Sequence, residues 1–204
     1  MSTTNTRRPL AQALNIASSI VTELGPYCDQ IEIAGSIRRQ RPTIGDIEIV
    51  CLPANYDASP LFRSGIALVV EQWEKIRGEL PCRYTQRLHP SGMKVDLFMP
   101  DPRGFGLQLA IRTGSAAWSH QVLARAWVCA GYRSDGGLLR DFAGRVVPTT
   151  TERQLFELIG LPWVEPMNRE VVVMPPPPAR GIRQRSALAD SCMKANCSPI
   201  HRSR

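Results

Sequence analysis

Asp46 and Glu48 stand two residues apart in Gly45-Asp46-Ile47-Glu48-Ile49-Val50, a stretch whose remaining residues suit a buried strand. On a strand, residues i and i+2 share a face, so both carboxylates project together while Ile47 and Ile49 turn toward a core. Two carboxylates held this close repel, and burying them is costly unless a cation lies between them. Oxygen-only ligation suits Mg²⁺, which takes one or two protein carboxylates and completes its shell with substrate phosphates. Asp96, in Lys94-Val95-Asp96-Leu97-Phe98, is a third acid inside an apolar strand. If the two strands are neighbours, Asp46, Glu48 and Asp96 converge on a centre of the kind used in two-metal phosphoryl or nucleotidyl transfer.

The turn upstream supplies the complementary half. Gly35 allows a phosphate to approach the backbone, and the Ser36 hydroxyl and free N–H groups can donate to it. Arg38, Arg39 and Arg41 offer fork-shaped donors for a polyphosphate. Taken singly, an acid on a strand is more often an edge residue facing water, and Gly-Ser is more often just a turn. The ordered combination argues for a site.

Elements must bring these residues together. Pro9 suits a first helical turn, and Leu10, Leu14, Ala17, Val21 and Leu24 form one helical stripe that ends at Gly25-Pro26. Gln30–Ala34 alternates as a half-buried strand, and the stretch from Gly45 to Pro53 reads as a second. Phe62, Ile66, Val69, Trp73, Ile76 and Leu80 recur at spacings of four and three, which predicts an amphipathic helix between Pro60 and Leu80. Cys82–Leu88 and Gly92–Pro100 read as a strand pair. The texture changes after Pro100-Asp101-Pro102, so a boundary is placed there. A helix follows from Thr113 or Ser115 to Gly131, then a hairpin turning at Asp135-Gly136 or Gly136-Gly137. Thr151 and Gln154 form a capping box for a last helix, stopped by Gly160 and Pro162. The fold class is α+β, with a sheet-bearing unit over 9–100 and a smaller α+β unit over 101–170. Residues 171–204 open with valines and four prolines, lack periodicity, and read as a disordered basic tail.

The formal charge of +7 over 204 residues suggests nucleic acid, but residues 168–204 carry seven Lys/Arg against two Asp/Glu. The folded part is nearly balanced, so nucleic-acid binding has to be argued from its site. Six cysteines are scattered without CxxC spacing, and Cys51 and Cys129 read as reduced core thiols. Cys192, Cys197 and His201 lack zinc-site spacing and a fourth ligand. No apolar run is long enough to span a bilayer and the N-terminus is polar, so a soluble, intracellular (cytoplasmic) protein is expected.

The stretch from Gly35 to Val50 closely resembles the nucleotidyltransferase signature, and its Arg-Arg and Gly-Asp details resemble the DNA polymerase beta (family X) branch. Arg112-Thr113-Gly114-Ser115-Ala116-Ala117-Trp118-Ser119 is similar to that family's Thr-Gly-Ser entry into a nucleotide-facing helix. Thr151–Glu170 is similar to its C-terminal helix and Trp/Tyr-x-x-Pro ending. The resemblance, over about residues 10 to 170, implies a palm bearing Asp46, Glu48 and Asp96 as catalytic metal ligands for two Mg²⁺ (or Mn²⁺) ions. It implies that Gly35, Ser36, Arg39 and Gly45 bind the nucleotide phosphates, with Thr113, Gly114 and Ser115 near the sugar and Trp118 near the nascent base pair. The implied activity is transfer of a nucleotide from a nucleoside triphosphate to a DNA 3′-hydroxyl, in a repair-type setting on primer/template or gapped DNA. The chain has no room for the family's N-terminal lyase-type domain, so a minimal, two-lobed, monomeric form is expected. The chain departs from the pattern at Glu48, where the family has Asp, at Ile111 and Arg112, where it has sugar-excluding aromatics, and at Ser119, where it often has Asn. The weak basicity of the folded part keeps open another acceptor (RNA, a small molecule or a protein), and Glu48 with the missing aromatics keeps open a catalytically weak nucleotide or DNA-end binding module.

Overall fold

The computed structural model describes residues 7–54, 65–80 and 82–170. Phe62 and the 171–204 tail lie outside the described residues. The chain opens with a short strand, β1 (Arg8–Pro9), and a helix, α1 (Leu10–Leu24). Strand β2 (Cys28–Ile33), a short helix α2 (Gly35–Arg38), β3 (Thr43–Ile44) and β4 (Asp46–Pro53) follow. Next come α3 (Gly65–Val70) and strands β5 (Glu74–Arg77), β6 (Tyr84–Leu88) and β7 (Lys94–Phe98). Helix α4 (Phe105–Thr113) leads into α5 (Ala116–Trp118), which continues through a π turn (Ser119–Leu123) into α6 (Ala124–Cys129). Three short strands, β8 (Arg133–Asp135), β9 (Leu138–Arg140) and β10 (Val146–Val147), precede α7 (Glu152–Leu158).

The central sheet is mixed, in the order β2-β4-β7-β6-β5, with β4 and β7 parallel and the other pairs antiparallel. Side-chain alternation gives it two different faces. Ile47, Ile49, Cys51, Val95 and Leu97 face α1 and α3 in one core, with Ala13, Ala17, Ile20, Leu24, Ile66 and Val70. Asp46, Glu48 and Val50 of β4, with Asp96 and Phe98 of β7, face the other way. There α4 covers the far end of the strands, packing Phe105 and Leu109 on Val50, Leu52 and Phe98. The acids lie at the uncovered end, so α4 decides where the core stops and the site begins.

A separate core gathers α4, α5, α6, α7 and the hairpin around Trp118, Val122, Leu123, Leu139, Leu155 and Phe156. Gly136 and Gly137, at φ of 58° and 82°, make the hairpin turn that their sequence suggests. The Thr151–Gln154 capping box is present in both directions.

Three readings are corrected. The helix expected up to Leu80 is a helix only over Gly65–Val70, and Glu74–Arg77 instead pairs with β6 as an exposed edge strand. The apolar spacing continues because Trp73 still reaches the core, edge-on to His89 with ring centroids 4.9 Å apart. The backbone groups nevertheless find the open edge of β6, and long-range pairing overrides local periodicity. The buried stripe of α1 is rotated: Ala13 and Ile20 are buried, while Leu14 is 41% exposed. Leu10, Leu14 and Val21 line a groove of about 470 Å³ with Ile31, Ile33 and Ile37. Cys129 is exposed, whereas Cys51 is buried, and all four described cysteines are free.

Candidate functional site

The parallel register pairs Glu48 with Asp96 and Asp46 with Lys94. The three acids therefore sit on one face of two adjacent strands, as their spacing implied. Each carboxylate feels the others. Burial, then the Asp96 charge, raises the Asp46 pKa above its usual range. Burial, then Asp46 and Asp96, pushes Glu48 up to about 7, opposed by Arg39 and Arg112. Asp96 is fixed from β6: Tyr84 Oη donates to its Oδ1 at 2.6 Å and Gln86 Nε2 donates to the same oxygen at 3.0 Å. Burial, and donation to Asp96, push Tyr84 up to about 12.

The turn at Gly35 is built around this cluster. Gly35 has φ +59°, and a Cβ added there would lie 1.9 Å from Glu48 Oε2. Only glycine fits both the backbone conformation and the Glu48 carboxylate. Ser36 presents a buried Oγ with no hydrogen-bond partner in the structure. Gly45 immediately precedes β4 and carries the chain from β3 to Asp46.

Arg38, at the end of α2, and Arg39, its C-cap, point to the C-terminal part of the chain. Arg38 donates to Thr113 Oγ1 at 2.6 Å and to Glu152 Oε2 at 2.7 Å. Arg39 Nη1 donates to Thr113 O at 2.8 Å, and its Nε is bonded to Glu170 Oε1. Glu152 holds a second guanidinium, Arg169, at 2.5 Å, and Arg169 is 0% exposed. Around Arg169 stand Trp118, Phe156 and Trp163, with ring centroids 5.5, 5.0 and 4.9 Å from its guanidinium carbon. Burial lowers the Arg169 pKa, and Glu152 counters that.

Thr113 closes α4, and Ser115 Oγ caps α5 by accepting from Trp118 N at 3.2 Å. Gly114 lies between them, where a Cβ would meet the Trp118 ring at 2.4 Å. Trp118 is 2% exposed and stacks on Phe156. It is a core residue with no open face for a base. Sequence reasoning missed Tyr84, Gln86, Glu152, Arg169 and Glu170, and met Arg112 only as a departure from the family pattern. The alternation of Tyr84 and Gln86 against Asp96 was available once the strand pair was drawn. Arg112, 4.0 Å from the Phe98 ring centroid, has a buried Nε without a partner. Nothing local marks Glu152, Arg169 or Glu170, whose roles come from contacts distant in the chain. Helix α4 went unread, although Asp101-Pro102 signals the 3-10 turn (Pro102–Gly104) that runs into it, where Asp101 Oδ1 accepts from Arg103 N at 2.9 Å.

In donor type and charge the acids fit a divalent cation: they are all-oxygen and mutually repelling, and burial, then their neighbours' charge, raises the pKa of Asp46 and Glu48. They are not a ready-made cage. Among the described residues, no group of three or more His, Cys, Asp or Glu is placed to hold a metal ion together.

The fold and this site define a mixed-sheet α+β protein in which a Gly-Ser turn and three strand acids meet a small C-terminal core. Residues 108–170 match the family model of the DNA polymerase beta thumb. The C-terminal part of the chain is thus similar to the thumb of DNA polymerase beta, and the match points to a polymerase-like or DNA-binding function and to association with nucleic acid. No curated protein matches the chain. Among the described residues no helix is long and apolar enough to cross a membrane.

Proposed function

We propose that the chain is a metal-dependent nucleotidyltransferase of the polymerase beta type, extending a DNA 3′-hydroxyl with a nucleoside triphosphate in repair-type synthesis. The observation that carries this reading is the alignment of Asp46, Glu48 and Asp96 on one face of β4 and β7, with Gly35 packed on Glu48. Asp46, Glu48 and Asp96 would hold Mg²⁺ or Mn²⁺, which when bound polarises the α-phosphate and favours the ionised 3′-hydroxyl. The chain's own residues prepare that chemistry. Tyr84 and Gln86 orient Asp96, α4 excludes water from the far end of the strands, and Gly35 and Ser36 offer backbone and hydroxyl donors to phosphate. Arg39 adds a fork-shaped donor once it is freed from its present partners.

A second reading, a nucleotide or DNA-end binding module without turnover, is favoured by one observation: Glu48 stands where the family pattern has Asp, and its longer arm packs its carboxylate against Gly35. Primer extension decides between them, using Mg²⁺ and Mn²⁺, gapped and single-stranded DNA, and deoxy- and ribonucleoside triphosphates. The expected result is extension by the parent and its loss in Asp46→Asn and Asp96→Asn. If both variants extend as well as the parent, the site assignment is wrong. If the parent binds triphosphate but extends no DNA, RNA or other acceptor, the binding-module reading replaces it.

A further inference from the structure

We propose that Glu170 is an internal stand-in for a phosphate, occupying the arginine end of the cradle, so that a polyphosphate engages Arg39 only by displacing it. This rests on the reading of the Gly35–Arg39 segment as a phosphate cradle. Arg39 Nε is bonded to Glu170 Oε1, and Arg41 Nη1 lies 3.4 Å from Oε2. Two guanidiniums thus face the two oxygens of one carboxylate, so its charge lies where a phosphate between the same arginines would place its own. Arg39 is further held by Thr113 O. The side chains of Arg39 and Glu170 are 13% and 23% exposed, so their pair is partly withdrawn from water.

The opposite end of the cradle is different. Ser36 stands one helical turn before Arg39, on the same side of α2. Its buried hydroxyl has no partner, so the Glu170 carboxylate does not serve it. A single phosphate competing for Arg39 only exchanges one anion for another. A di- or triphosphate spans further and adds Ser36, which repays the displacement with a hydrogen bond the resting chain does not make. Glu170 is therefore a positioning residue acting through Arg39, and it biases the cradle toward ligands with more than one phosphate.

The test is calorimetric titration of the full chain with inorganic tripolyphosphate and with orthophosphate. It compares the parent with Glu170→Gln, Glu170→Asp and Ser36→Ala, and records thermal midpoints alongside. Glu170→Gln is expected to tighten tripolyphosphate binding about three- to tenfold, the range set by losing one partly screened ion pair. Glu170→Asp, which keeps the charge, should stay near the parent. Ser36→Ala should weaken tripolyphosphate and leave orthophosphate unchanged. Unchanged or weaker tripolyphosphate binding by Glu170→Gln, with binding intact in the parent, overturns the inference and spares the functional reading. Binding by neither protein overturns both. A fall in midpoint without a gain in affinity assigns Glu170 to stability alone and also overturns the inference.

Discussion

Glu152→Gln is the sharpest test of how the two cores are joined. The glutamine keeps the shape of the side chain but removes the charge that bridges Arg38 Nη2, at 2.7 Å, and Arg169 Nη1, at 2.5 Å. Arg169 is fully buried and Glu152 is 5% exposed, so water cannot replace the lost carboxylate. Breaking a buried pair by removing one partner costs about 3–5 kcal/mol, chiefly because the other charge is left unpaired. For a chain of this size that corresponds to a fall in thermal midpoint of roughly 6–20 °C. The three aromatic rings around Arg169 soften the loss without supplying an anion. Denaturant unfolding of the parent, Glu152→Gln, Arg169→Met and the double variant gives the coupling directly. The double variant should recover much of the loss, since an apolar side chain there leaves no buried charge. A loss below about 1 kcal/mol in Glu152→Gln, or a double variant equal to the sum of its parts, refutes the reasoning.

Two further outcomes follow from the acid face. Glu48 keeps its proton in the folded chain up to about pH 7, against 4.5 for an ordinary glutamate, so below 4.5 it makes no difference to stability. Between those values the unfolded chain ionises first, so stability falls as pH rises, by about 3 kcal/mol in full above pH 7. Urea unfolding from pH 4 to 8 should show Glu48→Gln matching the parent at the acid end and exceeding it at the alkaline end; parallel curves would refute this. Gly35→Ala forces a Cβ into a left-handed conformation and against Glu48, costing about 1–2 kcal/mol. A midpoint equal to the parent's, read by thermal unfolding, would show that the contact is not made.

The site was legible where chemistry and local pattern coincide. Asp46 and Glu48 interrupt an alternation, Asp96 interrupts another, and Gly35-Ser36 precedes them in a fixed order. The capping box at Thr151 and the Gly136-Gly137 hairpin are local for the same reason. The fate of residues 71–77 was illegible because their spacing suits a helix while the free edge of β6, settled elsewhere, claims their backbone. Trp118 could equally have been a platform or a core ring. Only the assembly of Phe156, Trp163 and Arg169 around it decides for the core. Glu152 carried no sign of its role, because an acid in a first helical turn already has a local reason to be there.

The joint built on Arg38 and Arg39 also imposes an order in time. Their acceptors Glu152 and Glu170 lie 114 and 131 residues further along the chain. During synthesis the sheet that carries the acids can form while α2 still lacks both partners, since domains fold from the N-terminal side as they emerge. Arg169, which completes the pair with Glu152 and accepts from Ser115 N through its carbonyl at 3.0 Å, is made after both α4 and α7. The nascent chain therefore carries an acid face and an unclamped Gly-Ser turn before it has the contacts that restrain them, and the last turn of the C-terminal core sets the moment at which the site becomes a single rigid unit.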